Sequence, residues 1–141
     1  MTIDEILTLR EEALRMNLIG ADRLLQFTPE ALQNICNGIG ADVFPDIIRE
    51  ALDKLHPTLR PVAMVHDVDY YFGLNSYEDF SFANDKFLLN GRIAARFKHK
   101  WYNPRRYIVR KQAKIFAELC QVCGWFAYLQ AIKQRKEWSA K

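Results

Sequence analysis

The sequence predicts an all-α protein, and three observations carry that expectation. Apolar residues recur at helical spacing through most of the chain. The periodic segments open on capping residues and close on glycine or proline. No run alternates apolar and polar residues between turn signals, as a half-buried strand would. The chain has 141 residues, 50% of them hydrophobic, which suits one domain over 1–141 with a core of its own.

In chain order, "IDEILTLREEALRM" places Ile3, Ile6, Leu7 and Leu14 near one stripe, with Thr2 as N-cap and Glu5 completing a capping box. A turn at Gly20 and a short helix follow. In "FTPEALQNIC", Thr28 caps, Pro29 takes the first turn and Glu30 sits near the positive end of the helix dipole. Residues 1–35 thus form a helical extension. The glycines of "NGIGAD" stop that helix, and "VFPDIIREALDKLH" resumes helical spacing with Ile47, Ile48, Leu52 and Leu55. The segment from about 59 to 72 is expected to be helical, with Gly73 as its C-cap. Ser76 and Asp79 resemble a capping box for a helix over about 77–99, carrying Phe80, Ala83, Phe87, Ala94 and Phe97, with Gly91 weakening its middle. Asn103-Pro104 opens one long last helix over 104–138, basic at first and then apolar nearly all round. Such a helix is either deeply packed or covered by a partner, and a homodimer through it is one expectation.

Three cysteines, an odd number, argue against a disulfide framework. Cys120 and Cys123 form a CxxC with no second pair of zinc ligands, so buried thiols are the better reading. The charged, amphipathic N-terminus lacks a signal peptide's apolar block, and no segment approaches the ~18 apolar residues of a membrane span. The expectation is a protein made in the cytoplasm.

The formal charge of +3 hides a polarised chain. Residues 1–85 carry 6 Lys and Arg against 15 Asp and Glu, whereas residues 86–141 carry 14 against 2. In "RIAARFKHKWYNPRRYIVRKQAK" the cations alternate with Phe97, Trp101, Tyr102 and Tyr107. An anionic membrane surface and a nucleic acid both fit this pattern. So does mutual neutralisation of the two halves, or a solvated helical face.

Within "VHDVDYYFG", His66 and Tyr70 lie four apart and share a helix face, while Asp67 projects about 100° round the axis. A base and a cation ligand could flank one cleft from these positions. The plainer reading is a half-buried histidine beside a solvated aspartate. Asp69, three residues from His66, is a rival carboxylate for which solvation is the better reading.

Three motifs stand in order over residues 36–89: the glycine loop "CNGIGAD", the pattern HDxxY at His66, Asp67 and Tyr70, and "ANDKFLLN" with Asp85. Together they resemble the phospholipase A2 superfamily, especially its short branch without disulfides. The resemblance implies antiparallel helices carrying HDxxY and Asp85, and calcium-dependent hydrolysis of a phospholipid acyl ester. His66 would be the base, Asp85 would orient it and Tyr70 would hold Asp85. Asp67 and the carbonyls of Cys36, Gly38 and Gly40 would bind Ca²⁺. Phospholipid would be the substrate. The contrasting reading is a non-catalytic helical module that binds nucleic acid or a protein through its basic half.

Overall fold

The computed structural model describes residues 1–38 and 46–139, and every described element is helical. The first helix, α1 (Ile3–Arg15), opens on the expected capping box: Thr2 Oγ1 accepts from the Glu5 amide at 3.2 Å and Glu5 Oε2 from the Thr2 amide at 2.7 Å. Its buried stripe is Ile6, Leu9 and Ala13, which leaves Leu7 in solvent. Gly20, at φ +88°, enters a 3-10 turn over Ala21–Gln26. Thr28 caps α2 (Pro29–Gly38) through the Ala31 amide. Next come α3 (Asp46–Asp53) and a 3-10 turn over Pro57–Leu59.

The centre of the molecule is α4 (Arg60–Tyr71), which packs against α1, α2, α5 and α7. Nine of its twelve residues are buried, so two polar side chains on this helix, His66 and Asp69, must find partners inside the protein. The helix ends at Tyr71 with Phe72 as its cap, one residue ahead of the expected Gly73. Gly73 serves a different purpose: a Cβ there would lie 2.4 Å from the Tyr128 ring.

Long helices α5 (Tyr77–Lys98) and α6 (Pro104–Cys123) form an antiparallel hairpin, started by Ser76 and Asn103 caps. Their tightest approach is at Gly91, where a Cβ would sit 2.4 Å from Cβ of Ala113. That glycine, expected only to weaken α5, sets how closely the hairpin closes. Helix α4 runs antiparallel to α5, His66 lying level with Asn84 and Phe87 while Tyr70 meets Phe80.

The expected single C-terminal rod is two helices. At Gly124 the chain bends by 77° between α6 and α7 (Trp125–Ser139), and α7 returns to cover α4. A Cβ at Gly124 would press 2.5 Å from the Cys120 carbonyl oxygen and 3.0 Å from the Tyr70 hydroxyl, so only glycine fits this corner. No single helix among the described residues is long and apolar enough to cross a membrane.

Candidate functional site

Helix α4 brings His66 and Asp67 of HDxxY to one cavity of about 650 Å³ between α1, the end of α2, α3, α4 and α6, while Tyr70 lies buried behind them. Leu9, Leu52, Leu55, Met64 and Phe116 supply apolar wall; His66 and Asp67 supply its chemistry, and Asp4, Glu5 and Arg60 line it as well. This lining suits a ligand with an apolar body and a polar reacting group.

His66 is 3% exposed, wedged against Tyr70, Phe87 and Phe116 with ring centroids 4.2, 5.4 and 6.4 Å away. Its Nε2 lies 2.9 Å from Oδ1 of Asn84. The same oxygen accepts the Tyr70 hydroxyl at 2.7 Å, and a carbonyl oxygen can only accept. His66 therefore carries its proton on Nε2, and Nδ1 keeps a free lone pair. Burial, opposed by the Asn84 contact and assisted by the Lys86 charge, lowers the imidazole to about 4. The ring is neutral at pH 7 and can take up a proton at Nδ1. Burial also pushes the Tyr70 hydroxyl well up, so it remains a donor.

The network continues outward. Asn84 Nδ2 donates to Gln121 Oε1 at 2.8 Å, and Gln121 Nε2 donates to the hydroxyls of Tyr77 at 2.9 Å and Ser81 at 2.6 Å. Every polar atom of the Asn84 amide is thereby used, which fixes its orientation.

This corrects the expected role of Asp85. Asp85 is exposed on α5, and among the described residues no hydrogen bond or ion pair reaches it. Its neighbour Asn84 holds the place beside His66 and Tyr70. A step of one residue turns a side chain about 100° round a helix. The signal was present in the sequence: position 84 is four after Phe80 and three before Phe87, on the apolar stripe, and position 85 is off it.

Asp69 is likewise not solvated. It lies 8% exposed with Oδ1 2.7 Å from Lys86 Nζ, itself buried, and 3.8 Å from the half-exposed Arg23. Burial raises the Asp69 carboxyl against the opposing pull of Lys86. The pair closes the opposite side of α4 from Asp67 and is engaged in structure.

Asp67 lines the cavity half-buried, and among the described residues no hydrogen bond or ion pair reaches its carboxylate. Burial pushes this carboxyl well up. Its charge also helps raise the Cys36 thiol, which brings the last turn of α2 into the same neighbourhood. Cys36 and the terminal Gly38 belong to that turn, whose carbonyls have no partner within the helix. Gly40, the third carbonyl expected to bind a cation, lies outside the described residues. Among the described residues no three His, Cys, Asp or Glu side chains form a metal-holding group. Cys120 is buried and Cys123 half-buried, both as free thiols.

Comparison of the chain with protein-family models, with curated proteins and with solved structures finds no match.

Proposed function

We propose that the chain is a phospholipase A2-like hydrolase acting on an acyl ester of a phospholipid. The observation that carries this reading is the shared Oδ1 of Asn84, which binds both His66 and Tyr70 from the neighbouring antiparallel helix and leaves Nδ1 as a base beside an apolar cavity. In the proposed reaction, Nδ1 takes a proton from water as the water oxygen bonds to the acyl carbon. The tetrahedral intermediate collapses with cleavage of the ester C–O bond, and the proton passes from Nδ1 to the departing alkoxide. The products are a fatty acid and a lysophospholipid. Leu52, Leu55 and Phe116 would hold the acyl chain away from water.

The groups around Asp67 offer oxygen donors to a hard divalent cation. One is a carboxyl with no hydrogen-bond or ion-pair partner among the described residues, which a bound cation would draw into its ionised form. The other is the last turn of α2, at the negative end of its dipole, whose Cys36 lines the same cavity. Asp67 with the carbonyls of Cys36 and Gly38 would hold Ca²⁺, and when bound the ion would polarise the ester carbonyl as a Lewis acid. The orienting group is an amide, which fixes the His66 tautomer but brings no charge to stabilise the imidazolium.

The test is fatty-acid release from mixed phospholipid vesicles, with Ca²⁺ or chelator. Release should require His66 and fall on His66→Gln, and Asn84→Asp should raise it about tenfold by making His66 more basic. Release indifferent to His66→Gln, or none from either the native chain or Asn84→Asp, would overturn the proposal. The amide at Asn84 also favours a second reading, a non-catalytic lipid-binding scaffold, which predicts vesicle binding with no release from any variant.

A further inference from the structure

Residues 86–117 contain ten Lys and Arg and no Asp or Glu. Folding places them on the α5–α6 hairpin, and two reach back to the acidic half: Lys86 to Asp69 and Lys98 to Glu12 at 3.4 Å. Among the described residues none of the other eight has an ion-pair partner. Neutralisation of one half by the other is therefore slight.

Arg96, Lys98, Lys100, Arg105 and Arg106 flank the turn joining α5 to α6, and large apolar side chains stand in solvent there and on the first turns of α6. Trp101 is 83% exposed, Tyr107 69%, Tyr102 64% and Ile108 48%. The turn is built in advance: the Asn103 amide donates to the Lys100 carbonyl, Asn103 caps α6, and Lys100 Nζ lies 5.9 Å above the Tyr102 ring. It is also tied to the cavity rim. His99 Nε2 is 3.2 Å from Thr58 Oγ1, and the short stretch containing Thr58 joins rim residues Leu55 and Arg60.

We infer that the α5–α6 turn docks on anionic phospholipid bilayers, with Trp101, Tyr102 and Ile108 entering the headgroup region and Arg96, Lys100, Arg105 and Arg110 meeting lipid phosphates. Trp and Tyr favour the membrane–water boundary because each pairs an apolar ring with a polar atom. Each cation near an anionic surface adds about fivefold to binding, since it is worth ~1 kcal/mol there. A single-stranded nucleic acid requires a groove that tracks its backbone past stacked bases. Exposed Trp101 on the turn and Ile108 at the start of α6 offer apolar insertion instead. The inference goes beyond hydrolysis at His66 and holds whether or not that reaction occurs.

The test is flotation of the full chain with phosphatidylcholine vesicles, plain or containing about one-third phosphatidylglycerol. The native chain and His66→Gln should bind the anionic vesicles equally and plain vesicles weakly, with affinity falling as salt rises from about 0.1 M to about 0.5 M. Arg105→Gln/Arg110→Gln should weaken binding about 25-fold and Trp101→Ala about tenfold. Unchanged circular dichroism would show that these surface variants fold. Retained binding in all of them would overturn the inference. So would binding to a single-stranded oligonucleotide in preference to anionic vesicles. Fatty-acid release is measured separately, so loss of docking and loss of hydrolysis are told apart.

Discussion

Lowering the pH from 7 to 4 should set His66 against the fold. The imidazole titrates at about 4 in the folded protein and near 6.5 when unfolded, because burial among Tyr70, Phe87 and Phe116 penalises its charged form. Between those values the unfolded chain binds the proton more readily, so stability rises with pH through this window. The contribution is complete above pH 6.5 and lost as pH falls through 4. At ~1.4 kcal/mol per pH unit it amounts to about 3 kcal/mol. Asp67 and Asp69 work in the opposite sense: burial raises their carboxyls, so their folded forms hold protons more tightly. The informative quantity is therefore the difference between the native chain and His66→Gln, measured by urea unfolding from pH 7 to pH 4. The native stability should fall more steeply with acid by ~1 kcal/mol or more per pH unit. Parallel pH profiles, or an imidazole titration near 6.5 by NMR, would refute the burial reasoning.

Two further outcomes follow from packing. Lys86→Met leaves the Asp69 carboxylate buried with only the distant Arg23, and unfolding measurements should show a loss of about 3–5 kcal/mol, largely recovered in Asp69→Leu/Lys86→Met; a loss from the single variant below ~1 kcal/mol would contradict it. Gly91→Ala gains about 1 kcal/mol of helix propensity but drives a methyl into Ala113, at a cost of ~1–3 kcal/mol. The variant should be the less stable in thermal unfolding, and Ala113→Gly in that background should restore it.

Helix boundaries were legible because local chemistry sets them. Thr2 with Glu5, Thr28, Ser76 and Asn103 each cap through contacts within a few residues, and all are visible in the sequence. The antiparallel pairing of α4 with α5 was expected from the resemblance of their motifs and not from the apolar pattern of either helix. What a linear reading missed depends on distant partners. Asp69 reads as a surface residue until α5 brings Lys86 against it. Gly124 reads as one more residue in a long apolar helix until the Tyr70 hydroxyl occupies the space of its absent side chain. The resemblance to a known motif puts the orienting role on Asp85, whereas the apolar stripe on α5 turns Asn84 toward His66. Helix phase decides between them.

The return of α7 over α4 has a consequence for how the site matures. Tyr128 packs on Tyr70 with ring centroids 5.4 Å apart, donates its hydroxyl proton to Asp79 at 2.8 Å and accepts the Ser76 amide at 3.3 Å, clamping the α4–α5 connection. On the ribosome, His66 can meet Asn84 once α5 has emerged, whereas the seal on Tyr70 waits for a helix synthesised much later. Until then the Tyr70 ring lacks its Tyr128 neighbour, and closure of the α4–α5 connection becomes a late step of biogenesis.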